Sequence, residues 1–342
     1  MTPTPRRHVN EEHRTVAASE HVRVRLFDAD RTDEELTFEE AVASKPTKRQ
    51  LLWIDIAGDL SPGKCETLAG RFGLDPRTRG ALQTAGDRPH LALRGAYFHL
   101  RVAAEPDDEQ PIETKWLDVI AGRNVVISKH RAPIAFLSDL DKRIEADTAF
   151  GVLDSATFVV AILDSTVTSY FNAADTIEDV VDQFDARSLV DYQRGQLAEL
   201  VAVRRRIARL RRVLTAHRQV FASLATADLA QVVGSPESAS GFQPVAARFD
   251  GAVAAVEASR DVLLGSFDVY MTRTAQRTND IMKVLALATV LLLPGSLVAG
   301  LLGMNVTVPL AENDPLSFWI VVVGVALFVG ALLLAARLRE WL

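Results

Sequence analysis

The sequence contains a single cysteine, Cys65, among its 342 residues. No disulfide can therefore form within the chain, which is typical of proteins that fold in a reducing compartment. Residues 1–14 are polar and contain no apolar run, so the sequence predicts no signal peptide. Together these absences lead us to expect that most of the chain remains in the cytosol.

The chain also lacks an excess of basic residues. It has 38 Lys and Arg against 44 Asp and Glu, a formal net charge of -6. Binding to nucleic acid draws most of its free energy from basic side chains that displace phosphate counterions, so no nucleic-acid partner is expected.

Signatures of enzymes are missing as well. The 7 histidines show no paired spacing of the H-E-x-x-H kind. Residues 58–65 (GDLSPGKC) resemble the phosphate-binding loop G-x-x-x-x-G-K-[ST] but depart from it at the last position. Pro62 also removes a backbone N–H donor from the segment, and Cys65 occupies the position at which Ser or Thr would hold Mg²⁺. The sequence therefore predicts a turn between a strand and a helix there, and no enzymatic activity.

Two long stretches without charge are present near the C-terminus. Residues 284–302 and 318–336 each run for about 19 residues without a charged side chain, long enough to cross roughly 30 Å of hydrocarbon as a helix. Arg277 and Lys283 precede the first stretch, Arg337 and Arg339 follow the second, and the connection between them has no Lys or Arg. By the positive-inside rule, both termini are expected in the cytosol, with two spans in the inner (plasma) membrane.

The remaining sequence predicts an α+β cytosolic domain followed by long helices. Residues 22–27 and 51–57 have strand composition, 63–72 has helical periodicity, and 116–127 reads as a hairpin through Gly122-Arg123. From residue 132 onward the pattern is almost wholly helical. Residues 242–302 form one predicted helix of about 90 Å, which must pack against other long helices and runs directly into the first span.

One face of that helix is acidic. The spacing of four carboxylates at 7, 4 and 7 residues keeps them within about 40° of one another. They are Asp250, Glu257, Asp261 and Asp268. We call this set the acidic stripe. It is either a solvated helix face or an interior surface where carboxylates of neighbouring helices share a cation, which would make it a cytosolic metal sensor.

The first span is followed by Gly303-Met304-Asn305, before a short loop and a second span. In this position, the tripeptide resembles the GMN motif of the CorA superfamily of divalent metal ion transporters. Three further segments are similar to that family: residues 279–285 (NDIMKVL), Leu293-Pro294 and residues 260–264 (RDVLL).

The resemblance implies a funnel-shaped homopentamer in the lipid bilayer, without a covalently bound cofactor, in which the first spans line a pore and the second spans surround it. The implied selectivity filter consists of Gly303, Met304 and Asn305. The implied pore and gate residues are Asn279, Met282, Leu285, Thr289, Leu293, Ser296 and Gly300. In the loop, Glu312 and Asp314 are expected to concentrate cations outside the membrane.

On this basis the chain divides into seven predicted parts. They are a disordered N-terminus (1–20), a cytosolic α/β and helical domain (21–240), a stalk helix (241–283), the pore-lining helix (284–304), the external GMN loop (305–317), the second transmembrane helix (318–337) and a cytosolic tail (338–342).

The sequence does not decide which metal is transported, because different segments resemble two different branches of the superfamily. The start of the first span resembles CorA, which implies Mg²⁺ with Co²⁺ or Ni²⁺. The Pro-Leu-Ala-Glu sequence at 309–312 and the segment 210–218 are closer to the ZntB branch, which implies Zn²⁺. A further alternative is a membrane-anchored cytosolic scaffold or enzyme, with the two spans as a simple anchor.

Overall fold

The fold is taken from a computed structural model of the protein. The structure describes residues 20–84, 86–105, 114–140, 154–190, 195–226, 229, 232, 239–304 and 315–338. The predicted disorder of residues 1–20 therefore lies, apart from Glu20, outside the described residues. The chain divides into two compact units, residues 1–264 and residues 265–342.

A seven-stranded mixed sheet forms the centre of the first unit. The strands are β1 His21–Asp28, β2 Glu34–Glu35, β3 Gln50–Ala57, β4 His90–Leu93, β5 Tyr97–Glu105, β6 Lys115–Gly122 and β7 Val125–His130. Their order across the sheet is β2–β1–β3–β7–β6–β5–β4. Only β3 and β7 pair in parallel, while the other neighbours are antiparallel.

The predicted strands at 22–27 and 51–57 and the hairpin at 116–127 are confirmed by β1, β3, β6 and β7. In segment 91–103 apolar and polar residues alternate, and the segment is shared by two strands because the chain reverses between β4 and β5. Gly95 lies in that turn with a φ of 71°, a conformation that residues with a Cβ rarely adopt.

Three short helices lie between strands of the sheet, and longer helices follow the last strand. They are α1 Phe38–Ala43, α2 Pro62–Phe72, α3 Pro76–Gln83, α4 Ser155–Val190, α5 Gln196–Thr226, α6 Phe242–Leu302 and α7 Pro315–Leu338. The predicted helices at 63–72 and 242–302 are confirmed by α2 and α6. Segment 58–65 is the turn from β3 into α2, with Pro62 in the first turn of the helix where its missing N–H costs nothing.

The two faces of the sheet have different partners. On one face, Trp53 of β3 lies 5.1 Å from Phe158 of α4, and Phe98 of β5 lies 6.2 Å from Phe242 of α6, measured between ring centroids. On the other face, residues of β3 form a core cluster with Leu68 of α2 and Leu82 of α3. Strand β3 lies inside the sheet and both of its faces are covered, so its residues Leu51 to Ile54 are at most 1% exposed.

His217 on α5, whose basic sequence neighbours favour a surface position, is fully buried. Its Nε2 accepts a hydrogen bond of 2.8 Å from the backbone N–H of Ala103, and its Nδ1 donates one of 2.7 Å to the carbonyl of Val213. Ala103 lies at a bulge of β5, and Tyr170 of α4 donates its hydroxyl proton to the carbonyl of the same residue. A neutral imidazole thus satisfies a backbone donor that the bulge removes from the sheet.

Replacing His217 with glutamine should destabilise the folded protein by about 1–3 kcal/mol, because the buried N–H of Ala103 loses a well-placed acceptor. Burial lowers the pKa of His217 despite its hydrogen bond to Val213. The unfolded state therefore binds a proton more readily, and the contribution of His217 to stability declines as pH falls below about 6.5.

The measurement is chemical unfolding of wild type and His217→Gln at pH 8 and pH 5.5. The difference in unfolding free energy should be larger at pH 8. His21→Gln is the matched control, because His21 is exposed at the start of β1. A difference that grows toward acid pH would contradict a buried neutral imidazole.

Candidate functional site

The predicted pore residues lie along the second unit's part of α6, and all of them are exposed. They are Asn279, Met282, Leu285, Thr289, Leu293, Ser296 and Gly300. The three large apolar side chains among them, Met282, Leu285 and Leu293, are 60%, 61% and 59% exposed. At 100° per residue the set occupies one side of the helix, so the structure gathers these residues on a single uncovered face.

The opposite face of the same helix is partly covered. Its half-buried residues are Leu287, Leu291, Pro294, Gly295 and Val298. They centre about 180° from the predicted pore face by helical geometry. A Cβ added at Gly295 would lie 4.0 Å from Cγ1 of Val325, so α7 packs on this side. The position of α7 therefore leaves the predicted pore face open.

Two hydroxyls on the open face are bonded to their own helix. Thr289 donates to the carbonyl of Leu285 and Ser296 to that of Leu293, each at 2.9 Å. The hydroxyl oxygens keep lone pairs that can accept protons from water. Pro294 has no backbone N–H, so the carbonyl of Val290, four residues earlier, loses its helical hydrogen bond. Neither hydroxyl replaces that bond, because each donates to a different carbonyl.

Helix α6 ends at the predicted filter motif. The N–H of Gly303 donates to the carbonyl of Ala299 at 2.9 Å, and the N–H of Met304 donates to that of Leu301 at 3.4 Å. A Cβ at Gly303 would lie 3.3 Å from the Ala299 carbonyl oxygen, so glycine fits the tight end of the helix. The predicted residues Asn305, Glu312 and Asp314 lie outside the described part of the chain.

One helix in the described part of the chain is long and apolar enough to cross a membrane, Phe242–Leu301, and its most apolar window is not buried. The second predicted span appears as a shorter apolar helix, Trp319–Leu334, within α7. Large apolar side chains on both helices are exposed, which in a single chain in water would be a strong aggregation risk.

The acidic stripe remains on the surface of α6 within one chain. Asp250, Asp261 and Asp268 are exposed, while Glu257 is half-buried and forms an ion pair of 2.7 Å with Arg211 of α5. No group of three His, Cys, Asp or Glu able to hold a metal ion occurs among the residues that the structure describes.

Sequence reasoning missed a set of buried charges in the first unit. Asp118 of β6 accepts two hydrogen bonds from Arg101 of β5, at 2.8 and 2.9 Å, and one of 2.7 Å from His99. Burial alone would raise the pKa of Asp118, but the bonds from His99 and Arg101 outweigh it and hold the pKa below its usual value. The signal available in the sequence was a charged residue inside each of two largely apolar strands, Arg101 in β5 and Asp118 in β6.

The sequence matches a known protein family over most of its length. The family model described as "CorA-like Mg2+ transporter protein" matches residues 48–337. The chain is 22% identical over 256 residues to the cobalt/magnesium transport protein CorA of Thermotoga maritima, which covers 74% of this chain and 72% of that protein. It is 27% identical over 285 residues to the divalent cation transporter CmaX of Pseudomonas aeruginosa. That alignment covers 81% of this chain and 80% of CmaX.

Solved structures share the fold. The complete CorA magnesium transporter of Methanocaldococcus jannaschii aligns with a TM-score of 0.76 at 20% identity, over 94% of this chain and 98% of that one. The cytoplasmic domain of ZntB from Vibrio parahaemolyticus aligns with a TM-score of 0.58 at 13% identity, over 74% of this chain and 98% of that one. The chain therefore shares its fold with a complete CorA transporter and, over 74% of its length, with the cytoplasmic domain of ZntB.

Proposed function

Because the chain belongs to the CorA-like Mg²⁺ transporter family, we propose that it carries divalent metal cations across the membrane in which it resides, with Mg²⁺ as the first substrate, Co²⁺ or Ni²⁺ next, and Zn²⁺ as the alternative. The observation that supports this most is a family match over residues 48–337, which includes all of α6 and the GMN motif. Family membership favours transport over an anchored scaffold or enzyme.

We place the conduction path on the open face of α6. In a homopentamer, five copies of this face surround one axis, and α7 covers the opposite side of each helix. That arrangement buries the large apolar side chains of Met282, Leu285 and Leu293, which are about 60% exposed in the single chain. Rings of Met282 and Leu285 near the cytosolic end can close the path by excluding water, because they offer an ion no polar contact.

The selectivity filter in this proposal is a ring of Asn305 amides just beyond the end of α6. A hydrated divalent ion, Mg²⁺ above all, sheds its water reluctantly. Neutral amide oxygens can accept protons from the ion's water shell without removing it, whereas five carboxylates would hold the ion too tightly for release. In the loop that follows, Glu312 and Asp314 attract cations to the mouth.

Topology follows from the charges that flank the spans. Arg277 and Lys283 precede the apolar part of α6, and Arg337 lies in the last turn of α7. Both termini are therefore proposed to face the cytosol, with the GMN loop outside, in an inner or plasma membrane.

Uptake into liposomes tests the function. The full-length protein is reconstituted, and influx of Mg²⁺, Co²⁺, Ni²⁺ and Zn²⁺ is followed by trapped indicators, with and without a pH gradient. We expect Mg²⁺ influx well above that of protein-free liposomes. Influx at background for all four metals contradicts the proposal, and Zn²⁺ influx alone supports the ZntB-like alternative. Native mass spectrometry that gives a monomer would contradict the pentamer.

Replacing Asp261 and Asp268 together with asparagine tests the acidic stripe as a cytosolic sensor. If carboxylates of neighbouring copies share a cation that stabilises the closed state, their removal should raise the Mg²⁺ concentration for half-inhibition at least about fivefold. Transport is measured against increasing Mg²⁺ on the cytosolic side.

The matched control is the double variant Asp175→Asn and Asp179→Asn, which removes two exposed carboxylates from α4. Half-inhibition should stay at the wild-type concentration in this control. If the stripe variant also keeps the wild-type value, the acidic stripe is only a solvated face.

A further inference from the structure

A row of charged side chains crosses four strands of the sheet at one register. Lys129 of β7 lies opposite Asp118 of β6, Asp118 lies opposite Arg101 of β5, and Arg101 lies opposite His90 of β4. Because residues paired in this way point to the same face of a sheet, the four side chains are neighbours. The same face carries the apolar cluster under α2 and α3, so the row interrupts an otherwise apolar surface.

The single carboxylate of this row is fully engaged. Asp118 binds Arg101 through two hydrogen bonds and His99 through one. The remaining nitrogen of the guanidinium, Nη1 of Arg101, lies so close to Gly86 that a Cβ there would collide with it. Lys129, 2% exposed, is bonded to the carbonyl of Ala81 at 3.0 Å and paired with Asp59 at 3.2 Å.

A cavity of about 580 Å³ opens beside the row. Its ionisable lining side chains are Arg77, His90, Arg94, His99 and Arg101. Its described lining includes no carboxylate and no Phe, Tyr or Trp. Arg94 is paired with Asp75 at 2.9 Å. Arg77 is exposed on α3 and has no ion-pair partner among the described residues, so the cavity carries uncompensated positive charge.

We propose that this cavity binds a small phosphate-class oxyanion such as inorganic phosphate or pyrophosphate. Guanidinium groups bind phosphate oxygens through short, charge-assisted hydrogen bonds. Three arginines and two imidazoles line this cavity, and of the arginines Arg77 is the one without an ion-pair partner in the described part of the chain. The volume lies within the range of small-molecule sites. A nucleobase would have no aromatic surface on which to stack, so the phosphate group itself is the recognised chemistry.

Histidine makes this site sensitive to pH. His90 Nε2 lies 3.3 Å from Nδ1 of His99, and the other ring nitrogen of His99, Nε2, is bonded to Asp118 at 2.7 Å. Burial, together with the charges of His99 and Arg101, lowers the pKa of His90 although Asp118 acts in the opposite direction. An oxyanion in the cavity would favour the charged imidazole, so His90 takes up a proton when the anion binds.

Isothermal titration of the full-length protein with pyrophosphate tests the proposal. Divalent cations are removed beforehand, so that the result is independent of metal transport. Wild type should bind pyrophosphate, and should bind it more tightly than citrate at equal charge. Arg77→Gln should weaken binding about tenfold, the loss of one charge-assisted contact.

Arg79→Gln is the matched control, because Arg79 is exposed on the same helix but does not line the cavity. It should bind as the wild type does. Equal losses in the two variants would mean diffuse surface attraction and overturn the site. Absence of binding at millimolar pyrophosphate, or citrate binding of equal strength, would also overturn it. None of these results bears on the uptake assay, so the site and the transport function fail separately.

Discussion

Asn305→Ala should reduce Mg²⁺ uptake into liposomes by at least about tenfold, toward the level of liposomes without protein. In the sequence, Asn305 is the third residue after Leu302, at which α6 ends, and the N–H groups of Gly303 and Met304 between them bond back to the last turn of the helix. In the proposed pentamer, alanine removes five amide oxygens from one ring and leaves the hydrated ion without partners at the narrow mouth. Even a loss of about 1.4 kcal/mol in total corresponds to a tenfold change.

Asn313→Ala is the matched control for this experiment. It makes the same substitution in the same loop, eight positions further along the chain. Uptake by this variant should stay near that of wild type. Both variants are compared at equal amounts of reconstituted protein. Similar uptake by wild type and Asn305→Ala would contradict the assignment of the selectivity filter, though not the transport function.

The second large effect concerns the stability of the soluble domain. Arg101→Met should destabilise it by about 3–5 kcal/mol, because the carboxylate of Asp118 would remain buried without its bidentate partner. Asp118 and Arg101 are 4% and 6% exposed. The measurement is urea unfolding followed by tryptophan fluorescence, with the change read from the midpoint at constant slope.

Arg49→Met is the control for this variant. Arg49 forms an ion pair of 2.8 Å with Asp30, and both side chains are more than half exposed, so its loss should cost less than about 1 kcal/mol. Because the pKa of Asp118 is lowered on folding, its contribution to stability is present above about pH 4 and is lost as pH falls through its pKa in the folded state. Equal effects of the two substitutions would contradict a strongly stabilising buried pair.

Segments with a clear period were predictable from the sequence. Strands β1 and β3 alternate or run apolar between turn residues, and α6 keeps its helical pattern without a break from Phe242 to Leu302. Segment 91–103 also alternates apolar and polar residues, but two strands share it. An alternating pattern continues on the same face across a tight turn, so periodicity alone cannot detect the reversal at Gly95.

Single charged residues were less predictable. His217 lies among arginines on α5, so its neighbours in sequence indicated a surface position. In the structure it points toward the sheet and bonds to Ala103, 114 residues away. Similarly, Glu257 belongs to the acidic stripe by its spacing, yet its carboxylate is paired with Arg211 of another helix. Such pairings depend on which helices pack together, which local sequence does not encode.

By itself, the sequence determined the membership in a transporter family, the long helix that leads into the membrane and the motif at its end. These features depend on local order: an uninterrupted apolar run, a helical period and a tripeptide at a defined place. Only the tertiary structure decided which face of α6 is covered by α7, and which charges of distant strands meet beside Arg101. These depend on contacts between segments far apart in the chain, whose energies arise only after the chain has folded.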